Sequence, residues 1–403
     1  MKSKKLGLLG SVVAAGMLAA GLVMPTASAT PTVVTIWTDL DRASAFQTWA
    51  KVFNRKNPSI LVNVVGKDGH KDKLKTVSDA DAPDLIVGAH DWVGPLKADG
   101  SILPVTIPNA SQFDKRDKDA FKLSGAYYGV PIAVENIALF RNANMVPKAP
   151  KNFSDLEATC KKFLKKNKKQ KFCVAVSPGD PYHMYPFFSG LGGYVFGGVS
   201  GNWNTNKLGI ANKTFLKNST LIDKWYAEKL FNTNVTGDTA LAAFTGKQAP
   251  FMVTGPWNLD KIRLKNINYE LSAFPTIIKG IKSVPFYGVQ GAMRTKWAAP
   301  GKHNNVIRVN QVLADLTGKS AQLLIAQQTI RTPANKLARS AFKDPDSASF
   351  FNAGQGAITM PQILEMGAVW SPLGNAWSQV KANKFAANRF KTAQSTISKA
   401  INK

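Results

Sequence analysis

Hydrophobic and polar residues recur with two different periods over the first part of the chain. Residues 33–37 and 60–65 are β-branched apolar runs typical of buried strands, and residues 84–87 predict a third strand. Between the first two runs, residues 43–53 carry apolar side chains at helical spacing. This alternation predicts an α/β sheet, in which ligand-binding groups gather at the carboxyl ends of the strands.

Polar residues directly after these strands are candidates for a binding site. Asp41 and Arg42 follow the first strand, while His90, Asp91 and Trp92 follow the third. Structural roles are also compatible with these positions. Asp41 can cap the helix, His90 can be a hydrogen-bonded interior histidine, and Trp92 can be ordinary packing. Their common location at strand ends favours a shared site.

The stretch 127–142 contains a single carboxylate, Glu135, within an apolar run. β-branched and aliphatic residues recur near a two-residue period on both sides of it, which predicts two short extended segments that meet at Glu135. Either this carboxylate is paired at a strand end, or the chain passes there from one lobe to another and leaves Glu135 at the floor of a cleft. A second apolar crossing is predicted at residues 284–293.

Aromatic side chains next to turn residues occur at two later places. Asp180 and Tyr182 flank a proline in the aromatic loop 177–194, whose rings can line a cleft. Trp257 follows a Gly-Pro turn at the end of the predicted strand 250–254, and such a turn directs the indole out of the sheet. Packing in the interior is the alternative for this tryptophan.

Helices are predicted for much of the remaining chain. Ser154, with Glu157 three residues later, has the form of a capping box at a helix start. In the segment that begins at Met360, a proline and two glycines predict a break in a helical run, and Trp370 lies at this break. Further helices are predicted at residues 214–228, 239–246, 304–316, 321–328 and 379–401.

Residues 1–29 have the parts of a secretory signal peptide. Lysines precede the apolar run 6–24, and Ala27, Ser28 and Ala29 have the small-x-small form of a cleavage site. A retained anchor helix is the alternative, which the glycines in the run disfavour. Cleavage after Ala29 would lower the formal net charge from +27 to +24 and would leave no cysteine for a lipoprotein anchor. We therefore expect an exported protein, extracellular or periplasmic and associated with the cell surface.

Export would place the two cysteines, Cys160 and Cys173, where they can oxidise. A disulfide would tie the lysine-rich helical segment between them to the following strand, and two reduced buried cysteines are the alternative. We expect no metal site, because the chain has four histidines and none lies at ligand spacing from the cysteines. The lysines between the cysteines are most simply a solvated helix face.

Composition limits the function classes. A hydrophobic fraction of 44% and a charged fraction of 19% are ordinary globular values, and 403 residues favour two lobes over one domain. The net charge of +27 is compatible with a nucleic acid or another polyanion as partner. A secreted glycoside hydrolase is a further alternative, since exposed rings and several carboxylates would suit it.

The segment 129–142 closely resembles the first hinge crossing of the maltose and maltodextrin-binding proteins of ABC importers. The other motifs occur in the order of that family over essentially the whole mature chain, and residues 90–94 and 369–374 are more similar to its Gram-positive, particularly actinobacterial, members. The resemblance implies an α/β, two-lobed periplasmic-binding-protein-like fold with a hinge and a ligand cleft between the lobes. The lobes would comprise residues 30–133 with 289–339 and residues 134–288 with 340–403.

The resemblance also implies a function and a set of site residues. It implies a protein that captures maltose or maltooligosaccharides by lobe closure and delivers them to a membrane permease; trehalose or cyclodextrin are alternative ligands. By the same resemblance we expect a monomer that catalyses no reaction, needs no cofactor and has no nucleic acid as partner. The resemblance implies hydrogen bonds to sugar hydroxyls from Asp41, Arg42, Asp91, Glu135 and Asp180, and stacking on the sugar rings by Tyr182, Trp257 and Trp370. Trp92 and Met360 are further candidates for ligand contacts. Gly88 and Trp92 depart from the enterobacterial pattern, which has Trp and Arg at these positions.

Overall fold

The computed structural model describes residues 30–199, 201–380 and 385–402. The predicted signal peptide, residues 1–29, lies outside the described residues. The strands, numbered in chain order, are β1 Thr32–Thr38, β2 Ile60–Gly66, β3 Leu85–Ala89, β4 Lys122–Leu123, β5 Ala126–Tyr127, β6 Val130–Glu135, β7 Ala138–Asn142, β8 Val174–Ala175, β9 Phe196–Val199, β10 Asn202–Leu208, β11 Phe251–Thr254, β12 Tyr269–Ser272, β13 Phe286–Arg294, β14 Thr332–Pro333 and β15 Ile358–Thr359.

The α-helices are α1 Leu40–Lys56, α2 His70–Lys73, α3 Val93–Ala98, α4 Lys115–Asp119, α5 Phe153–Lys166, α6 Pro181–Gly190, α7 Lys213–Asn218, α8 Thr220–Ala227, α9 Gly237–Thr245, α10 Leu259–Arg263, α11 Val306–Leu316, α12 Lys319–Thr329, α13 Lys336–Ala341, α14 Pro345–Ala353, α15 Trp370–Ser378 and α16 Ala386–Ile401. Short 3₁₀ turns lie at His90–Trp92, Ala110–Gln112, Pro256–Asn258, Lys296–Ala298 and Leu364–Ala368. Among the described residues, none of these helices has both the length and the apolar character needed to cross a bilayer.

Two sheets form the centres of the two lobes. The larger sheet has the order β14-β6-β13-β3-β1-β2, with β15 paired to β13, and the smaller has the order β12-β7-β11-β8. In the larger sheet β1 is parallel to β2 and β3, whereas β13 is antiparallel to β3 and β6. In the smaller sheet β11 is parallel to β8 and antiparallel to β7. The predicted α/β, two-lobed fold is confirmed.

The smaller sheet is buried on both faces. Leu139 and Val253 belong to one hydrophobic cluster, while their strand neighbours Phe140 and Met252 belong to another. Successive side chains of a strand point to opposite faces, so these two clusters cover the two sides of the sheet. A strand covered on both sides reads as a continuous apolar run, as residues 138–140 do.

The chain passes from one sheet to the other at the predicted place. β6 ends at Glu135 in the larger sheet, and β7 begins at Ala138 in the smaller one. Glu135 lies opposite Gly288 of β13. β13 lies largely within residues 284–293, where the second crossing is predicted. The prediction of two extended segments that meet at Glu135 is confirmed, and the residue boundaries of the lobes stay a prediction.

Three helix predictions need correction. α5 is capped by Asn152, whose side chain accepts a hydrogen bond from the Asp155 amide, and not by Ser154. The segment predicted as one helix at 214–228 is two helices, α7 and α8, that meet at Ser219. The last helix begins at Ala386 instead of residue 379. Local sequence predicted a helix in each case but did not fix its cap, its first residue or the break within it.

A disulfide joins Cys160 near the end of α5 to Cys173 just before β8. The two Cα atoms are 5.5 Å apart, and both residues are buried beneath the lysine-rich segment that separates them. The bond therefore ties the C-terminal end of α5 to the start of the smaller sheet.

Candidate functional site

A cavity of about 370 Å³ contains most of the side chains that the sequence proposes as ligand contacts. Seven of the ten predicted binding residues line it: Asp91, Glu135, Asp180, Tyr182, Trp257, Met360 and Trp370. Four further residues line it that the sequence did not propose: Ala89, His183, Gly288 and Gln290. Asp41, Arg42 and Trp92 lie outside this lining. Its size falls within the usual range for small-molecule sites.

The cavity lies where strands of both sheets end. Asp91 lies two residues after the end of β3, and Glu135 is the last residue of β6 in the same sheet. From the smaller sheet, Asp180 lies in the connection that leads from β8 into α6, and Trp257 follows β11. The two lobes therefore both contribute to one site, as the strand-end positions predicted.

Aromatic rings form one wall of the cavity. The ring centroids of Tyr182 and Trp257 are 6.1 Å apart, and Tyr182 stacks on Phe286 at 6.2 Å. Phe286 in turn meets Trp370 edge to face at 6.0 Å. Tyr182, Trp257 and Trp370 are each only partly buried, so ring surface remains open to a ligand.

Gly255 makes the position of Trp257 possible. The six-membered ring of the indole lies directly over this glycine, because a Cβ atom added at Gly255 would be 2.2 Å from Cζ3 of Trp257. The 3₁₀ turn Pro256–Asn258 folds the tryptophan back over the end of β11. The Gly-Pro turn therefore fixes where the indole stands, and only a residue without a side chain fits beneath it.

Glu135 is held at both oxygens. Oε1 accepts a hydrogen bond from Nε2 of Gln290 at 2.6 Å, and Oε2 accepts one from Nε of Arg331 at 2.9 Å. Arg331 also donates from Nη2 to Oδ2 of Asp41 at 2.8 Å. Both Arg331 and Glu135 are buried, so their charges face each other away from solvent. The carboxylate is paired at a strand end and also lines the cleft, so both interpretations of this residue hold together.

Arg42 supports the same network from the larger lobe. Its Nη1 donates to Oε1 of Gln290 at 2.5 Å, and its Nε donates to Oδ2 of Asp39 at 2.7 Å. The helix is capped by Asp39 and not by Asp41, since the Asp39 side chain accepts from the Arg42 amide. Arg42 thus orients the amide of Gln290, which in turn donates to Glu135.

Gln290 and Arg331 carry no local sequence signal. Gln290 lies within β13 and Arg331 immediately precedes β14, at 155 and 196 positions from Glu135 in the chain. The sheet order brings β6 between β13 and β14, which places both partners beside Glu135. Sequence reasoning could propose that the carboxylate has a partner but could not identify it.

Two polar atoms of the cavity lack partners. Within the described part of the chain, Oδ1 of Asp91 and the hydroxyl of Tyr182 are buried and make no hydrogen bond. Burial raises the pKa of Asp91 to about 6, against the opposing charge of Lys71. Burial and the charge of Glu135 raise the pKa of Tyr182 well above its usual value, so this hydroxyl keeps its proton. Unpaired buried groups at a cleft are explained when a ligand completes them.

Asp180 has partners on its own helix. Its Oδ1 accepts from the Tyr182 amide at 2.9 Å as the N-cap of α6, and its Oδ2 lies 2.6 Å from Nδ1 of His183. Burial acts to raise the pKa of Asp180, but the hydrogen bond and charge of His183 outweigh it and keep this pKa below the ordinary value. The carboxylate is therefore ionised at neutral pH and accepts hydrogen bonds.

Trp92 fills the space above Gly88. A Cβ atom at Gly88 would lie 2.1 Å from Cζ3 of Trp92, and the indole also packs edge to face against His70 at 5.1 Å. The ring of Trp92 therefore occupies the space over Gly88, and a side chain at that position would collide with it.

His90 is a structural residue. Its Nδ1 accepts from the Val289 amide at 3.0 Å and its Nε2 donates to the Met360 carbonyl at 2.8 Å. Burial lowers the pKa of His90 to about 4, so the ring is neutral at physiological pH. The alternative of a satisfied interior histidine is confirmed, and His90 fixes Met360 at the cleft. The described residues contain no cluster of three or more His, Cys, Asp or Glu side chains suited to a metal ion.

Comparison with known proteins is consistent with this architecture. The maltooligosaccharide ABC transporter solute-binding lipoprotein of Streptococcus pneumoniae (strain ATCC BAA-255 / R6) is 25% identical over 379 residues, which cover 88% of this chain and 86% of that protein. The maltodextrin-binding protein MdxE of Bacillus subtilis (strain 168) is 25% identical over 401 residues, 94% of each chain. The galactooligosaccharide-binding protein of Bacillus subtilis (strain 168) is 24% identical over 371 residues, 87% of this chain and 84% of that protein.

A family model gives the assignment directly. It is described as bacterial extracellular solute-binding protein and matches residues 48–349, which include strands of both sheets and the crossing at Glu135. With two lobes that share one cleft, and with relatives of similar length that bind solutes, the chain belongs to the bacterial extracellular solute-binding protein family.

Proposed function

We propose that this protein captures maltose or maltooligosaccharides in the cleft between its lobes and delivers them to an ABC importer. The observation that carries the proposal is the convergence of Tyr182, Trp257 and Trp370 with Asp91 and Asp180 in one cavity. A pyranose ring has an apolar C–H face and a rim of hydroxyls. It therefore requires flat aromatic surfaces together with charged hydrogen-bond acceptors.

In this proposal each group of the cavity has its own role. The partly buried rings of Trp257 and Trp370 offer faces on which a sugar can stack. Asp91 and Asp180 accept hydrogen bonds from sugar hydroxyls, and Oδ1 of Asp91 has no competing partner within the described residues. Glu135 has further lone pairs to offer, although Gln290 and Arg331 already occupy one position on each oxygen. Asp41 and Arg42 act on the ligand mainly through this network.

Binding is coupled to lobe closure in this proposal. Asp91 and Glu135 belong to the larger sheet, while Trp257 follows a strand of the smaller one. A ligand that touches both groups makes its full set of contacts only when the lobes are together, so it shifts the population toward the closed state. The crossing between β6 and β7, at Asn136 and Ile137, is a natural hinge because it joins the two sheets directly.

Two of the similar proteins are named for maltooligosaccharides or maltodextrin, which supports an α-glucan as the ligand. A galactooligosaccharide is the second candidate, since a relative named for that ligand is almost equally similar. In this proposal the protein is exported, acts as a monomer outside the cytoplasm and catalyses no reaction. Its partners are the sugar and the membrane permease.

The experiment is a titration of the purified protein, followed by intrinsic tryptophan fluorescence, with maltose, maltotriose, maltotetraose, trehalose, a cyclodextrin and a galactooligosaccharide. We expect saturable binding of the maltooligosaccharides, because ligand stacking changes the environment of Trp257 and Trp370. After long incubation, chromatography should recover every sugar intact. Saturation only with the galactooligosaccharide would replace the α-glucan assignment, and release of monosaccharide would replace the binding function with a hydrolytic one.

A further inference from the structure

A group of lysines forms an exposed surface on the smaller lobe, which we call the lysine surface. All its members are exposed to solvent, and they come from α5, from the segment after it and from two turns. The lysine surface consists of Lys161, Lys162, Lys165, Lys166, Lys168, Lys169, Lys171, Lys229 and Lys247. The buried side of α5 is formed by Phe153, Leu156 and Cys160, so the helical lysines lie on its solvent side.

The sheet topology places this surface opposite the cleft. β8 and β11 are parallel and in register, with Val174 opposite Phe251. Asp180 and Trp257 follow the carboxyl ends of these strands, whereas Lys171 and Lys247 precede their amino ends. Lys229 joins the same end, because the carbonyl of its neighbour Leu230 accepts a hydrogen bond from the Val174 amide at 3.0 Å. A partner on the lysine surface therefore leaves the sugar cleft accessible.

The positive charge of this surface exceeds what the local structure uses. Within the described residues, none of these ammonium groups has a salt-bridge partner. Lys165 and Lys166 in the last turn of α5 complement the helix dipole, but the lysines beyond the helix do not. Glu157, in the first turns of α5, is already engaged by Lys224, and Glu228 is an exposed carboxylate beside Lys229.

The disulfide holds this charge together. Seven of the nine lysines lie in the loop of 13 residue steps that Cys160 and Cys173 close. Like charges at this density repel one another and favour an open loop. The covalent bond prevents that opening and keeps the lysines on one side of the lobe.

We propose that the lysine surface docks the protein on a bilayer that contains anionic phospholipids. Lysine ammonium groups act as compact point charges without the fork geometry of arginine, which suits many dispersed phosphates better than one shaped ligand. Within the described residues, these lysines line neither the ligand cleft nor any of four other cavities of between about 290 and 590 Å³. Attraction of this kind grows with each basic residue near the membrane and falls within a Debye length.

The experiment is co-sedimentation of the protein, purified in its exported form, with vesicles of phosphatidylcholine that contain 30% phosphatidylglycerol or none. Glutamine replaces lysine at five positions of the surface in the test variant: Lys162, Lys165, Lys166, Lys168 and Lys169. The matched control makes the same change at five exposed lysines on the larger lobe or near it: Lys51, Lys56, Lys319, Lys336 and Lys343. Both variants lose five positive charges.

We expect the unaltered protein and the control to bind the anionic vesicles, and the test variant to bind at least 30-fold more weakly. Binding should disappear without phosphatidylglycerol and in salt of about 0.5 M. Sugar affinity and thermal midpoint, measured on all three proteins, should be equal. Absence of vesicle binding by the unaltered protein overturns the proposal, as does an equal loss in both variants. If long-chain polyphosphate binds and the vesicles do not, the partner is a soluble polyanion and the membrane assignment is wrong.

Discussion

Replacement of Arg331 tests how the floor of the cleft is held together. Its guanidinium links Glu135, at the end of β6, to Asp41, in the first turn of α1. Methionine has a similar length and no charge, so Arg331→Met removes both contacts with little change in packing. The buried carboxylate of Glu135 then keeps Gln290 as its partner but loses its counter-charge.

The magnitude follows from the burial of each contact. The side chains of Arg331 and Glu135 are 7% and 8% exposed, and removing one partner from a buried pair costs about 3–5 kcal/mol. The Asp41 side chain is 53% exposed, so its half of the network contributes less than about 1 kcal/mol. We therefore expect Arg331→Met to lower the free energy of unfolding by about 3–5 kcal/mol and Asp41→Asn by less than about 1 kcal/mol.

The assay is urea unfolding of the sugar-free protein, followed by tryptophan fluorescence. Glu135→Gln and the double variant Glu135→Gln/Arg331→Met complete a double-mutant cycle. Because the double variant leaves no unpaired buried charge at this pair, we expect it to be more stable than the sum of the single changes predicts, by about 2 kcal/mol or more. A cost of Arg331→Met below about 1 kcal/mol, or simple additivity in the double variant, would refute the reasoning.

Three further predictions concern the cleft and the disulfide. Gly255→Ala should weaken maltooligosaccharide binding at least tenfold in calorimetry, because the new Cβ displaces the indole of Trp257. The control Gly237→Ala should leave the affinity unchanged, since a Cβ at Gly237 meets open space. Sugar affinity should fall as the pH is lowered from 7.5 to 5, because the pKa of Asp91 is about 6 and protonation removes a hydrogen-bond acceptor. Asp91→Asn should abolish this pH dependence. An equal loss of affinity with falling pH in that variant would contradict the role of Asp91 as an acceptor. Replacing Cys160 and Cys173 together by alanine should lower the free energy of unfolding by about 3 kcal/mol in urea, and an unchanged stability would show that the bond does not form.

The sequence predicted those features that local patterns encode. The crossing at Glu135 was predictable because two β-branched runs flank a single carboxylate, and the site positions were predictable because polar residues follow buried strands. Trp257 was predictable as a cleft residue because a Gly-Pro turn precedes it. In each case the signal lies within a few residues of the feature itself.

Features that depend on distant strands could not be predicted. Arg331 and Gln290 reach Glu135 only through the sheet order β14-β6-β13. The position of Trp92 over Gly88 depends on a side-chain direction that spacing does not specify. The N-cap of α5 was misplaced because Asn152 and Ser154 both have capping side chains, and the backbone decides between them.

The most direct test of the account is isothermal titration calorimetry of the purified protein with maltotriose. Trp257→Ala is compared with Trp203→Ala, whose indole lies outside the cleft and donates to Oε1 of Gln362. The account predicts saturable binding that weakens about 30-fold in the Trp257 variant, equivalent to about 2 kcal/mol of lost ring contact, and is unchanged in the Trp203 variant. Equal affinities in all three proteins, or no heat with any of them, would contradict an aromatic sugar site in this cleft.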